Sequence, residues 1–260
     1  MESFSFSQKR AVVTGGDRGI GFGIASRLAN LGATVCLVAR NAQHLESARA
    51  KIVDSGGTCE TIIADLADRA QTQAAADALL TLAPRWDIFV HSAGNAPGPA
   101  LLEMSADYWD DTFAIHCRAP FLLARALAPG MIAAGGGQIL NVSSVASFLA
   151  VRGHGAYSPA KAALNMLTRE MALEWGPHIR ANAICPTAVL TEMGQEVWGK
   201  HPAQADWLRA KIPAGRFAEV NEIVEIALFL LGPSAVFING TNIPIDGGLL
   251  TGLADCPPAD

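Results

Sequence analysis

The chain has 260 residues, 50% of them hydrophobic and 17% charged, with a net charge of −5. That supplies apolar material for one large α/β domain, and the acidic balance gives no electrostatic reason for nucleic acid or an anionic membrane surface as a partner. The five cysteines are odd in number and scattered, which fits free thiols in a reducing, cytoplasmic compartment and not a disulfide frame.

The start, Met1-Glu-Ser-Phe-Ser-Phe-Ser7, lacks the basic and apolar segments of a secretion signal. The longest apolar run, near Ile226–Leu231, is far short of a membrane span. The histidines show no pairing with a carboxylate at metal-ligand spacing, so no metal site is expected.

Short apolar runs recur along the chain at Ala11–Val13, Ala33–Ala39, Thr61–Ala64, Asp87–Val90, Gln138–Val142, Ile179–Ile184 and Asn242–Ile245, separated by stretches of helical period. This rhythm predicts a doubly wound α/β fold of the Rossmann type, with about seven parallel strands and helices on both faces. Asn41 is placed to cap the helix after the second strand, Gly56-Gly57 to end it, and Gly135-Gly-Gly137 to divide a long helix from the fifth strand. No linker or repeat divides residues 1–260, so a single domain is expected, with a flap at about 187–218 and a Pro-rich tail at 249–260.

Between the first strand and a helix beginning near Ile20 lie Gly15, Gly19 and Gly21, where missing side chains allow backbone and helix N-terminus to approach a pyrophosphate. A tight turn alone would need the same glycines. The second strand ends in Val38-Ala39-Arg40-Asn41, without the carboxylate that would bond a ribose 2′-hydroxyl, so NADP is favoured over NAD. Arg18 is a second cation placed for a 2′-phosphate, while Asp17 beside it would partly neutralise the pocket. Either arginine alone reads equally as a solvated surface residue. Asp65, followed by Leu66, is placed either at the adenine edge or as a helix N-cap.

Tyr157 and Lys161 lie four residues apart, one turn along a helix face. A ketone accepts hydride more readily when its oxygen receives a proton, and a phenol is a fitting donor if a nearby ammonium favours the phenolate. Together with the glycine turn, this spacing points to nicotinamide-dependent carbonyl chemistry.

The stretches Thr14-Gly-Gly-Asp-Arg-Gly-Ile-Gly21, Asp87-Ile-Phe-Val-His-Ser-Ala-Gly94, Ile139-Leu-Asn-Val-Ser-Ser144, Tyr157-Ser-Pro-Ala-Lys161, Ile179-Arg-Ala-Asn-Ala-Ile-Cys-Pro186 and Ile245-Asp-Gly-Gly248 resemble the short-chain dehydrogenase/reductase family over nearly the whole chain. Pro186-Thr-Ala-Val-Leu-Thr-Glu-Met-Gly-Gln195 and Ile212–Val220 are most similar to its branch of L-xylulose reductases and tetrameric carbonyl reductases. That resemblance implies Ser144 as the serine that orients the carbonyl, with Ser143 as alternate, Tyr157 as general acid or base, and Lys161 as holder of the nicotinamide ribose. It implies cofactor contacts from Ile20, Leu66, Ser92, Ala93, Gly94, Pro186, Thr187, Val189 and Thr191, with Thr191 the better candidate for the carboxamide.

Two positions depart from the family pattern. His116 stands where the family has an asparagine that kinks the central helix and supports a water leading to the lysine; it reads equally as a proton relay and as a packed histidine. His91 replaces the first asparagine after the fourth strand and is read as structural.

His154, Gln195 and Trp198 are candidates for hydrogen bonding or stacking on a small polar substrate. The segment Glu192–Ile212, with Trp198 and Trp207, suits a closing lid or a subunit interface. Apolar residues on several faces of the helices around Asp107–Ala128 and after Tyr157 suggest self-association, and the resemblance implies a homotetramer, a dimer of dimers, with Leu249–Leu253 at a second interface. The leading expectation is an NADP-dependent reductase of a small ketone, ketose or dicarbonyl, reversible toward alcohols. The rivals are an NAD-dependent polyol dehydrogenase and a dinucleotide-binding sensor or scaffold without strong catalysis.

Overall fold

The computed structural model describes residues 5–95 and 98–252. Seven strands form one parallel sheet: β1 (Arg10–Thr14), β2 (Thr34–Ala39), β3 (Thr58–Ile63), β4 (Ile88–His91), β5 (Gly137–Val142), β6 (Ile179–Pro186) and β7 (Asn242–Ile245). Their order is β3-β2-β1-β4-β5-β6-β7. The order reverses between β1 and β4, which opens a crevice at the carboxyl ends of the strands, the usual place for a ligand in such sheets.

The strands are buried on both faces because Val, Ile and Ala fill both sides of the pleat. In β1, Ala11 and Val13 pack toward α1 (Gly19–Asn30), α2 (Ala42–Asp54) and α9 (Val220–Leu231). Val12, one residue out of phase, packs on the opposite face against α3 (Arg69–Leu82), α5 (Ala119–Ala133) and α6 (Tyr157–Trp175).

β3 runs from Thr58, three residues earlier than the apolar run at Thr61–Ala64 suggests. It is an edge strand whose outer positions need no apolar side chain: Glu60 bonds Arg10 at 3.2 Å, and Ile63 is 63% exposed. Asn41 does cap α2, accepting from the His44 N–H at 2.9 Å, and Gly56 follows that helix with φ +88°. Gly137 is the first residue of β5 and not part of the divider before it.

The central helix begins as α4 (Ala106–Phe113), widens into a π-turn over Ala114–Arg118, and continues as α5. Pro120 explains the widening. In a regular helix its N–H would close on the His116 carbonyl, but proline has no N–H and its ring crowds that carbonyl.

After β6, α7 (Glu192–Lys200) and α8 (Pro202–Lys211) form a helical hairpin tied at its base by a parallel bridge between Val189 and Ala218. It carries its own small apolar cluster of Ala205, Ile212 and Phe217, on which Trp198 and Leu249 pack. Among the described residues no helix is long and apolar enough to cross a membrane. The tail from Leu253, with Cys256, lies outside the described residues.

Candidate active site

A cleft of about 660 Å³ runs along the carboxyl ends of the strands, from the β1–α1 turn and the end of β2 to the start of α6. At the first end, Gly15 takes φ +61° and a Cβ there would lie 2.8 Å from the Ala93 backbone, so only glycine lets the turn nest against the loop after β4. Arg18 is the N-cap of α1 in an extended conformation with no side-chain cap, so the N–H groups of that helix face the cleft without a side-chain acceptor. This is the chemistry of an anion cradle. Gly21 does not line the cleft; a Cβ there would meet the Gly15 carbonyl at 2.2 Å, so its role is to let α1 close on the turn.

Asp17, Arg18, Gly19, Ile20, Arg40, Asp65, Leu66, Ser92, Ala93 and Gly94 all line the cleft, as do Pro186, Thr187, Val189 and Thr191. Asp65 is not the cap of α3. That role belongs to Asp68, which accepts from the Gln71 N–H at 2.9 Å, while Asp65 turns back on the Ala67 N–H at 3.0 Å. Its carboxylate is thereby set at the cleft wall. Thr191 caps α7, accepting from the Gly194 N–H at 3.0 Å, which leaves its hydroxyl proton for another acceptor. His44, not singled out from the sequence, joins this lining, with Nδ1 3.6 Å from the Asp17 carboxylate.

The other end of the cleft holds Ser144, Tyr157 and Lys161. Tyr157 is the first residue of α6 and Lys161 lies one turn on, with Nζ 5.5 Å from the phenol ring centroid. Lys161 is 4% exposed and donates to the Val142 carbonyl at 2.8 Å. The two serines after β5 divide their work. Ser143 donates to the Lys161 carbonyl at 3.4 Å, whereas Ser144 caps the following turn and lies by the Tyr157 phenol.

Burial sets the protonation of this group. It pushes the Tyr157 phenol up to about 12 against the opposing hydrogen bond from Ser144, and pulls Lys161 down to about 7. In the chain by itself burial is the largest influence on the Tyr157 phenol, which keeps its proton at neutral pH.

His116 sits in the π-turn, 1% exposed, with its ring edge-on to Tyr157 at 5.2 Å between centroids. Its Nε2 is 2.9 Å from Asn95 Oδ1. Burial first, and then the charge of Lys161, holds its pKa well below the ordinary histidine value. A Cβ on Gly94 would come within 2.6 Å of the His116 ring, so this glycine makes room for the imidazole as well as for the cleft. His91 is fully buried and joins Thr14 Oγ1 at 2.9 Å, tying β4 to β1; burial drives it to about 3.

Trp198 lines the cleft and packs on Phe217 at 5.1 Å between ring centroids. His154 and Gln195 do not line it. His154 borders a separate shallow hollow with Phe148 and Val151, touching Tyr157 edge-on from that side. Asn95 and Glu192 line the cleft without having been singled out. For Asn95 the local signal was a polar residue directly after Gly94. Among the described residues no cluster of His, Cys, Asp or Glu suits a metal ion.

A family model described as enoyl-(acyl carrier protein) reductase, of the short-chain alcohol dehydrogenase type, matches residues 15–250. The chain is 40% identical over 246 residues to a D-threitol dehydrogenase of Mycolicibacterium smegmatis, covering 94% of each chain. It is 39% identical over 250 residues to the L-xylulose reductase of Homo sapiens, covering 95% of this chain and 98% of the other. Among solved structures, a gluconate 5-dehydrogenase of Burkholderia cenocepacia in complex with NADP and tartrate superposes with a TM-score of 0.89 at 33% identity, over 96% of this chain and 98% of that one. These matches run over nearly the whole length of each chain, and the chain belongs to the short-chain dehydrogenase/reductase family, whose members are NAD(P)-dependent oxidoreductases of alcohol and carbonyl groups.

Proposed function

We propose that the chain interconverts a neutral short polyol and its ketose, with NADP(H) preferred to NAD(H) and Tyr157 as the acid in reduction and the base in oxidation. The observation that carries this reading is the joint lining of one cleft by Ser144, Tyr157 and Lys161 at one end and Arg18 and Arg40 at the other. The dinucleotide supplies or takes the hydride. Ser144 orients the carbonyl oxygen, Tyr157 delivers a proton to it, and Lys161 offsets the charge left on the phenol.

The substrate class follows from where the cations are. Lys161 is the cation of the catalytic end, whereas Arg18 and Arg40 follow β1 and β2, at least two strands away from Ser144 after β5. Among the described residues that line the cleft, no guanidinium stands at the Tyr157 end to fork onto the carboxylate of a sugar acid, and Glu192 after β6 would repel it. A neutral ketose or polyol, as in the names of the threitol and xylulose relatives, suits Asn95, Ser144 and Trp198 better.

Arg18 and Arg40 support a 2′-phosphate, with Thr187, Val189 and Thr191 against the nicotinamide end. Asp17 supports the second reading, NAD, because its carboxylate lines the same end and would bond a free ribose hydroxyl. The same proposal includes a cytoplasmic homotetramer, a dimer of dimers joined through α5 and α6. The faces of those helices leave Phe121, Ile132, Met166 and Leu173 exposed, and four described cysteines are free thiols.

The test is oxidation of NADPH and NADH against neutral four- and five-carbon ketoses, their sugar acids and small diketones. Turnover of neutral ketoses with NADPH preferred is expected, and Tyr157→Phe should lose about 10²–10⁴-fold in kcat while binding the dinucleotide normally. Turnover of sugar acids alone would refute the substrate class, and tight binding without turnover on any carbonyl would favour the sensor.

A further inference from the structure

The inference concerns His116 and Asn95, which meet behind Tyr157, and it rests on the reading of Tyr157 and Lys161 as the catalytic pair. Four polar groups there form a directed chain. The Thr112 hydroxyl donates to the Tyr108 carbonyl at 2.8 Å. With its proton so used, Thr112 Oγ1 accepts from Asn95 Nδ2 at 3.1 Å, and the amide must then turn Oδ1 toward His116 Nε2 at 2.9 Å. An oxygen facing Nε2 requires the ring proton to be there.

The remaining nitrogen, His116 Nδ1, is buried without a hydrogen-bond partner among the described residues. As a lone pair this is tolerable. The opposite tautomer would strand an N–H, the rarer and costlier orphan. Both the local chain of bonds and the orphan atom thus select the same tautomer. The ring cannot swing away, because Gly94 and the edge of Tyr157 close on it from two other sides.

We propose that Asn95 is a positioning residue of the reaction: its amide locks His116 as the neutral Nε2–H tautomer, with Nδ1 a fixed acceptor in the wall that backs Tyr157 and Lys161. An imidazolium at this place would put a second cation against the pair and oppose the ammonium of Lys161. The amide that the family keeps in the helix is here supplied from the loop after β4, and His116 takes its direction from it.

The test reads the tautomer by ¹⁵N NMR of the full-length protein labelled at histidine, with the His116 signals assigned by their loss in His116→Gln. The wild type should show protonated Nε2 and bare Nδ1, unchanged from pH 5.5 to 8.5. Asn95→Leu should mix the tautomers and lower kcat about tenfold, with the dinucleotide KM within about twofold, as expected for loss of one positioning hydrogen bond.

Asn95→Asp keeps an acceptor oxygen and adds a charge. It should retain the tautomer, make His116 titrate within the measured range, and move the acid limb of kcat/KM upward, which a merely structural residue would not do. Protonated Nδ1 in the wild type would overturn the proposal, as would an Asn95→Leu enzyme with unchanged tautomer and kcat. If Asn95→Leu does not fold, the wild-type spectrum and Asn95→Asp decide. A wild type that turns over no carbonyl would count against the catalytic reading instead, since the spectrum is taken on the resting protein.

Discussion

Tyr157 and Lys161 share one face of α6, Nζ 5.5 Å from the phenol ring centroid, and burial moves their proton affinities in opposite directions. The phenol is pushed up to about 12 and the amine pulled down to about 7. Near neutral pH the phenol is a loaded donor, while burial weakens the hold of the lysine on its proton. In the proposed role of Tyr157, reduction consumes this phenol proton and oxidation requires its absence.

The two directions should consequently respond to pH with opposite sign. Reduction needs the phenol protonated and gains from the ammonium, so its kcat/KM should be level below pH 7 and fall as the pH rises through about 7, where Lys161 loses charge. Oxidation needs a phenolate, scarce far below about 12, so its kcat/KM should climb with pH throughout the range from 7 to 9. Steady-state profiles in both directions check this. Parallel profiles would show that neither group governs the proton step.

Lys161 should also cost the fold stability. Its folded pKa of about 7 lies below the ordinary lysine value of 10.5, so the unfolded chain holds the extra proton between those values and stability rises with pH across them. Tyr157 acts in the other sense only above the ordinary tyrosine value of 10.0, leaving the window from pH 7 to 10 to the lysine. Lys161→Met should abolish turnover yet raise Tm by about 2–6 °C at pH 7, as replacing a buried charge with a hydrophobe of similar volume does. The gain over wild type should shrink toward pH 10. A gain that stays constant with pH, or a loss of Tm, would contradict the assigned burial cost.

The sheet was legible because parallel strands buried on both faces must be short apolar runs, and Val12, Val35 and Ile88 announce themselves. β3 was misplaced where an edge strand mixes Glu60 with Thr61, since half-solvated positions carry weak pattern. Tyr157 and Lys161 were legible from spacing and Ser144 from the family resemblance, but the pull of burial on the phenol and the amine was not, because desolvation depends on what packs around a group. Asp65 and Asp68 could each precede a helix, and only the geometry chooses between them. Asn95 and His116 meet across 21 residues, a contact no local pattern encodes, although Pro120 carried a readable hint that the helix is broken open at His116.

Cofactor preference should rest on Arg40 and be sensitive to salt. Arg40→Asp removes a cation at the end of β2 and places a carboxylate there, so the ratio of kcat/KM for NADPH over NADH should fall by about 10²-fold or more. In the wild type, raising ionic strength should increase the KM for NADPH more steeply than that for NADH, because the extra phosphate is the difference being screened. Equal salt dependence for the two cofactors would move the phosphate contact away from the arginines.

Gly94 should be coupled to His116 through steric contact alone. A Cβ at Gly94 would lie 2.6 Å from the imidazole Cε1, and the ring is held by Asn95, so it has no room to yield. Gly94→Ala should then cost about 1–3 kcal/mol, the usual penalty for overfilling a packed site, and should lower kcat by displacing the imidazole from Tyr157. In a His116→Ala background the same change should cost almost nothing, because the space has been cleared. Denaturant unfolding of the four proteins of this double-mutant cycle measures the coupling directly, and additive losses would mean that Gly94 is needed for its backbone and not for the space it leaves to His116.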